Sequence, residues 1–171
     1  FNKTITYQTG SDGKPGVEDT VYAKITVDTA GVAEGGTITY TVTLVDSAGN
    51  PVTVPVGNSV DVAVDWTGTA AGGADTDEAL PATVTITAGT SSIDVVLTAT
   101  DDLLLESTEP LVAQITGVTD TNSSFEAVAV SGTDTANSEI TDNDTALVSI
   151  ATDNDAAEAL NDPGQFIVTL S

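Results

Sequence analysis

Thr37-Ile38-Thr39-Tyr40-Thr41-Val42-Thr43-Leu44 decides the fold class. On an extended chain Ile38, Tyr40, Val42 and Leu44 point one way, and the four threonines point the other. That is a half-buried strand with a threonine-covered outer face. Working outward, the same period of two recurs in 60–66, where Val60, Val62, Val64 and Trp66 alternate with Asp61, Ala63 and Asp65. It recurs again in 93–99, where Ile93, Val95, Leu97 and Ala99 alternate with Asp94, Val96 and Thr98. Segments 22–28, 82–87, 111–116, 125–130 and 136–141 read the same way. Turn signals separate them: Gly35-Gly36, Ala48-Gly49-Asn50-Pro51, Ala71-Gly72-Gly73, Ala88-Gly89 and Ser131-Gly132. No stretch reads as a helix, because Leu103-Leu104-Leu105 is too short and sits among acids. Many short strands with regular turns predict an all-β sandwich.

Part of the pattern is repeated. Ala23 to Asp28, Ala33-Glu34 and Ile38 to Leu44 align with Leu147 to Asp153, Ala157-Glu158 and Phe166 to Leu170. Both copies read strand, acidic bend, strand. The predicted organisation is a linker or the end of a preceding domain over 1–20, a complete module over 21–144, and the first two strands of a following, truncated repeat over 145–171. Phe1 to Thr9 can form a strand, which could pair with the orphan strands over 147–170.

Charge sets the chemistry. The 171 residues carry 26 acidic and 3 basic side chains, a net charge of −23. All three bases precede residue 25 (Lys3, Lys14, Lys24), and there is no histidine. Salt bridges therefore cannot neutralise most of the carboxylates, and like charges brought together destabilise a compact state. Nucleic acid and anionic membrane surfaces are unsuitable partners, because both need a basic footprint. With 40% hydrophobic residues a core can still form, so this is not a disordered acidic tail. Cysteine is absent, which removes any disulfide framework. The lack of thiolate and imidazole argues against zinc, copper and iron–sulfur sites. Oxygen ligands remain, and they suit hard cations, calcium above all. No apolar run approaches the roughly 18 residues a membrane span needs.

The acids gather in four places: Glu34; Asp75, Asp77 and Glu78; the run Asp101-Asp102-Leu103-Leu104-Leu105-Glu106-Ser107-Thr108-Glu109; and Asp142-Asn143-Asp144. All four are expected to flank strands. Take the strands as 22–28, 37–46, 58–66, 82–87, 93–100, 111–119 and 136–141, with 125–130 an extra element in a long final hairpin. Consecutive loops of an antiparallel sandwich alternate between its two ends. The four clusters then follow the first, third, fifth and seventh strands and share one pole. Carboxylates about 4–6 Å apart shift one another's pKa values, and a calcium ion, which takes about 6–8 oxygens, is the natural counter-charge.

The Ala33-Glu34-Gly35 bend, the Asp-Asp-x-x-x-Glu-x-x-Glu run at 101–109 and Ile140-Thr141-Asp142-Asn143-Asp144 together resemble the Calx-beta domain. This resemblance covers about 21–144. It implies an immunoglobulin-like Greek-key β-sandwich of about seven strands that binds calcium. It further implies Glu34, Asp101, Asp102, Glu106, Asp142 and Asp144 as ligands, with Leu104 giving its backbone carbonyl. Asp75 matches an acidic family position, although Ala74-Asp75-Thr76-Asp77 stands where the family has Asp-Tyr, which leaves the number of ions open. Glu109 completes the candidate set. The acidic, cysteine-free, threonine- and valine-rich tandem context is similar to the extender repeats of bacterial RTX adhesins.

The expected function is a calcium-stabilised extender module of a large bacterial surface adhesin. Its partners would be neighbouring modules of the same chain, its external ligand unknown, its state monomeric and its location extracellular. The alternative is a calcium-dependent adhesin tip that binds sugar or peptide. Tyr40 and Trp66 lie on expected core faces, however, which leaves few aromatics for a sugar platform. A regulatory calcium sensor is a third reading, distinguished by sub-micromolar affinity. An enzyme is not expected: Glu106 and Glu109 are the obvious acid–base pair, and no histidine, cysteine or arginine supports other chemistries.

Overall fold

A computed structural model describes residues 20–72, 74–154 and 163–170. Eleven strands are present among them: β1 (Val21–Val27), β2 (Val32–Ala33), β3 (Thr37–Val45), β4 (Ser59–Thr67), β5 (Thr83–Thr87), β6 (Ser92–Thr98), β7 (Glu109–Asp120), β8 (Val128–Val130), β9 (Thr135–Thr141), β10 (Val148–Asn154) and β11 (Gln165–Leu170). A single 3₁₀ turn, Thr69–Gly72, follows β4. No helix among the described residues is long and apolar enough to cross a membrane.

The first nine strands form two sheets. One has the order β6-β3-β1-β8, the other β2-β9-β7-β4-β5. The alternating residues of the sequence meet between them. Ile38, Tyr40, Val42 and Leu44 of β3 are buried, and so are Ala23 and Ile25 of β1, Val60, Val62 and Val64 of β4, and Leu111, Ala113 and Ile115 of β7. Their threonine and aspartate neighbours face outward, where Thr41 Oγ1 donates to Asp94 Oδ1 (2.7 Å) and Thr85 Oγ1 to Asp61 Oδ1 (2.7 Å). These cross-strand pairs on the solvent faces satisfy aspartates that have no cation to pair with.

Tyr40 locks the two sheets. Its ring is fully buried, its hydroxyl donates to Leu111 O of the facing sheet (2.8 Å), and it meets Trp66 edge-on with ring centroids 5.0 Å apart. The Trp66 indole N–H donates to Pro81 O (2.9 Å). Both aromatics are committed to packing, as the sequence pattern predicts.

The sequence reading departs from the structure in three places. Segment 125–130 is not part of a final hairpin. Only 128–130 is strand, and it crosses to the other sheet to pair in parallel with β1. Its Val-Ala-Val carries no alternation that would name its partner. A two-residue strand, β2, pairs in parallel with the end of β9 (Val32 opposite Ile140, Ala33 opposite Thr141) and is too short to leave a periodic signal. Glu109 does not flank a strand; it opens β7, opposite Ile140.

The β10–β11 hairpin forms its own two-stranded sheet. Its pairing reproduces that of β1 and β3. Ala23 pairs with Leu44, Ile25 with Val42 and Val27 with Tyr40; Val148 pairs with Leu170, Ile150 with Val168 and Thr152 with Phe166. The positions buried in the first hairpin are apolar in the second as well, and Thr152 stands where the first has half-buried Val27. Glu158, the counterpart of Glu34, and the strand expected at 1–9 lie outside the described residues.

Replacing Tyr40 by Phe leaves Leu111 O buried without its donor. The expected loss is about 1–3 kcal/mol, because an orphaned buried acceptor forfeits its desolvation cost. Urea unfolding of the Tyr40→Phe variant checks it, and an unchanged midpoint would show that the hydroxyl is not a lock.

Candidate metal centre

Four connections converge where β1 ends and β3 begins: residues 28–36, 68–82, 99–108 and the segment after β9. Their backbones are stitched around buried Ala99. Gly35 N donates to Ala99 O (2.9 Å), Ala99 N donates to Gly36 O (2.8 Å), and Thr76 bridges to Ala99. Glu34 N donates to Thr141 O (3.1 Å), and Thr100 N to Asp75 O (3.1 Å). The bend at 33–36 depends on its glycines. Gly35 has φ +73°, and a Cβ on Gly36 would lie 2.7 Å from Ala33 O. Only a residue without a side chain fits there, and the bend fixes Glu34 against the end of β9.

These loops bring six carboxylates into two groups. Oxygens of Glu34, Asp142 and Asp144 lie within 4.8 Å of one another, and so do oxygens of Asp75, Glu106 and Glu109. Asp142 joins the two groups: its Oδ2 accepts from Glu106 N and its Oδ1 from Asp144 N, both at 2.6 Å. Asn143 Nδ2 donates to Glu34 O (3.2 Å), which turns the apparent charge gap in Asp-Asn-Asp into a tie across the pole. Glu34, Asp75, Asp102, Glu106, Glu109 and Asp142 line one cavity. The space inside it is about 10 Å³, room for about one water-sized species and far too little for a sugar ring.

The remaining expected residues sit around this centre. Asp101 lies against Gly35, where a Cβ would come 3.7 Å from its Oδ2. Asp102 Oδ1 accepts from Leu104 N (2.6 Å), so Leu104 enters the loop geometry through its amide, and its side chain is exposed. Asp77 and Glu78 are outside the cavity lining. Glu78 Oε2 accepts from Thr98 N (2.7 Å) and Asp77 Oδ1 from Thr100 Oγ1 (3.2 Å), which anchors the 74–78 loop along the end of β6. Sequence reasoning missed Thr69, whose hydroxyl favours the charged form of Glu109. It lies in the 3₁₀ turn, and one threonine more carries no signal in so threonine-rich a chain.

The electrostatics follow from the crowding. Partial burial, then Asp142, Asp102, Asp144 and Glu106, push the Glu34 pKa up. Burial and then Asp102, Asp75 and Asp142 do the same for Glu106. Glu109 is raised by burial and by the nearby charges of Asp75 and Glu106, and Asp144 by burial and by Asp142, Asp101 and Asp102. Lys24, the one cationic side chain among the described residues, stands elsewhere, beside Tyr22, Val45 and Asp46.

Besides Asp120 Oδ1 at the end of β7, two carboxylate oxygens, Glu34 Oε2 and Asp144 Oδ2, are sealed from solvent and have no hydrogen-bond partner. A buried charged oxygen without a partner is costly, and native structures seldom leave one so. Both belong to the same three-carboxylate group. The donor set is oxygen throughout, which fits a hard divalent cation and no softer metal.

In metal-stripped buffer the raised groups give the module a stability that falls as pH rises. Carboxylates with raised native pKa values hold protons more tightly in the folded than in the unfolded chain. Stability is therefore greatest at the acidic side of the window above the ordinary carboxylate range (about 4) and is lost as they ionise. Asp46, whose pKa is lowered by hydrogen bonds from Asn50 and Ala48, loses its contribution only below that window. Melts followed by circular dichroism from pH 7 down to about 5 should show Tm rising by a few degrees; a flat or falling Tm would contradict the crowding.

The sequence matches no family model. No curated protein matches it either. Solved structures do resemble the fold. CBD12 from CALX1.2 superposes with a TM-score of 0.51 at 15% identity, covering 86% of this chain and 68% of that one. The apo form of the Calx CBD1 domain gives 0.49 at 16% identity, over 72% of this chain and 99% of that one. The calcium binding domain CBD12 of CALX1.1 gives 0.47 at 15% identity, over 71% and 45%. By its two sheets and by its likeness to CBD12 from CALX1.2, this chain has the Calx-beta type of immunoglobulin-like β-sandwich fold.

Proposed function

We propose that this chain is a non-catalytic, calcium-stabilised structural module of a tandem array. The parent would be a large bacterial surface adhesin of the RTX type, and the module an extracellular extender that acts as a monomer. The observation that carries the calcium reading is the pair of sealed oxygens, Glu34 Oε2 and Asp144 Oδ2, with no cationic side chain near them. Calcium would be held by Glu34, Asp142 and Asp144 in one group and by Asp75, Glu106 and Glu109 in the other, with Asp101 and Asp102 beside them. A bound divalent ion supplies the positive charge that the chain lacks. The residues themselves fix the loops: Asp142 ties the 99–108 loop to the segment leaving β9, and Asn143 ties that segment to the 33–36 bend. Neutralising this pole would hold the outgoing segment at a fixed angle to the sandwich.

The tandem reading is supported by the shared register of β1–β3 and β10–β11. Pairs recur 125 residues on in the first strand, from Ala23 to Val148, and 126 on in the second, from Leu44 to Leu170. On this reading, module 21–144 is followed by a repeat that begins at 145, and residues 1–20 belong to what precedes. A non-catalytic role agrees with a cavity that admits one small species between Glu106 and Glu109. The small number of exposed aromatics favours a stalk over a sugar-binding tip.

Calcium should raise the Tm of the chain, with free ion at about 100 times Kd contributing about 2.7 kcal/mol. The affinity expected of an extracellular module is in the ~0.1–1 mM range. The variants Glu34→Gln and Asp144→Asn separate charge from structure. In chelator each should melt at or above the parent temperature, because repulsion is relieved. In calcium each should bind at least about 10-fold more weakly. Calorimetric titration with calcium checks this, and parent-like affinity in both variants would remove the site.

A further inference from the structure

A second cavity, of about 370 Å³, opens on the flank of the sandwich, away from the carboxylate centre. Tyr22 and Lys24 form its floor. They alternate along β1 with buried Val21, Ala23 and Ile25, so both side chains stand on the outer face. The walls are the turn after β3, with Asp46 and Ser47, and the bend after β8, with Ser131 and Thr133. Both walls are pinned by backbone bonds. Ser131 N donates to Ala23 O (2.9 Å) and Ile25 N to Thr133 O (3.1 Å). Asp46 N donates to Asn50 O (2.9 Å), and Gly49 N, at φ +87°, to Asp46 O (3.0 Å). Lys24 is the one cationic side chain among the described residues, and it lies in this groove. Asp46 is satisfied within its own turn, where Oδ1 accepts from Ala48 N (2.9 Å) and Asn50 N (2.8 Å) and Oδ2 from Asn50 Nδ2 (3.0 Å). Strand pairing does not call for a lysine either: the position of β10 that matches Lys24 holds Ser149.

We infer that this groove binds an acidic sugar of the hexuronic acid class, one ring at a time and without calcium. Its volume lies at the small end of the range for small-molecule sites, roughly 300–1,000 Å³, and suits a pyranose. The Lys24 ammonium donates to the sugar carboxylate, a charge-assisted bond. The Tyr22 ring offers an apolar face with a polar tip, which matches the C–H face of a pyranose beside its hydroxyls. Hydroxyls of Ser47, Ser131 and Thr133 stand at the rim for the ring hydroxyls. Other ligand classes fit less well. Strand β1 is paired on both sides, with β3 and β8, so the floor has no free edge for an extended peptide. A phosphate, with its double charge, would meet one ammonium, no arginine fork and the Asp46 carboxylate. The acidic pole does not forbid an anion here. From Tyr22 to Val27, where β1 reaches that pole, is about 17 Å along the strand, roughly two screening lengths at physiological salt. The inference goes beyond the cation reading and does not rest on it.

The test titrates the isotope-labelled full chain with sodium glucuronate in chelator at pH 7 and constant ionic strength, followed by amide NMR shifts. Glucose and sodium acetate are titrated in parallel. Glucuronate should give saturable shifts at 22–24, 46–49 and 131–133, with a Kd of about 1–10 mM, the affinity of a single small ring. Glucose and acetate should each bind at least about 5-fold more weakly, because each lacks one half of the recognised chemistry. Lys24→Gln and Tyr22→Ala should each weaken glucuronate at least about 5-fold, with the Tyr40 and Trp66 ring resonances unchanged as proof of folding. Absence of saturable shifts overturns the site. Acetate binding as tightly as glucuronate overturns it too, as adventitious anion binding, and equal binding of glucose removes the role of Lys24. Cross-relaxation from residues 1–19 to the Tyr22 ring in the free chain would show that the groove is filled by the chain itself. Glucuronate shifts that appear only in added calcium, at Glu34 and 142–144, would move the ligand to the cation centre and overturn the groove.

Discussion

Converging negative charge without a protein counter-charge is the constraint on which the structure turns. A β-sandwich built from period-two strands has two poles, and its alternate loops return to the same one. Here those loops are the acidic ones. The backbone bonds around Ala99 fix them in place, and Gly35 and Gly36 allow Glu34 to be carried in against β9. The hydrophobic core sets the arrangement of the carboxylates, and their repulsion works against the core. Hydrogen bonds donated by the amides of Glu106 and Asp144 to the Asp142 carboxylate relieve part of the strain. They do not reach Glu34 Oε2 or Asp144 Oδ2, and those two atoms define the place where a cation fits.

The outer faces solve the same problem differently. Asp61 and Asp94 lie on the outer sheet faces and accept hydrogen bonds from threonine hydroxyls across the strands. Asp46 is caged by the amides of Ala48 and Asn50 in a tight turn, and its pKa falls where those at the pole rise. The chain thus sets some acids singly beside hydroxyls and amides and brings six others together at one pole. A solvated acidic surface needs no such convergence, which is why the pole, and not the net charge alone, argues for a bound ion.

Much of this was legible in the residues. Strict alternation in 37–44 and 60–66 marks β3 and β4, because a sheet with one wet face leaves an unambiguous period. The convergence of Glu34, the 101–109 run and Asp142–Asp144 followed from loop parity. What escaped had a physical reason. Strands β2 and β8 are too short to alternate, and each pairs in parallel with a strand distant in sequence. Glu109 was grouped with the acidic run that begins at Asp101, yet it opens β7 opposite Ile140, with Pro110 accommodated next to it opposite Glu139. Asp77 and Glu78 were grouped with the pole by composition, but they face β6. Nothing in a string of acids distinguishes an oxygen aimed at a cavity from one aimed at a backbone amide.

The most direct measurement is anomalous diffraction from crystals grown in calcium. The account predicts an anomalous peak about 2.3–2.6 Å from both Glu34 Oε2 and Asp144 Oδ2, the distance of calcium–oxygen ligation. A map in which these two side chains point apart into solvent, with no peak between them, would contradict it.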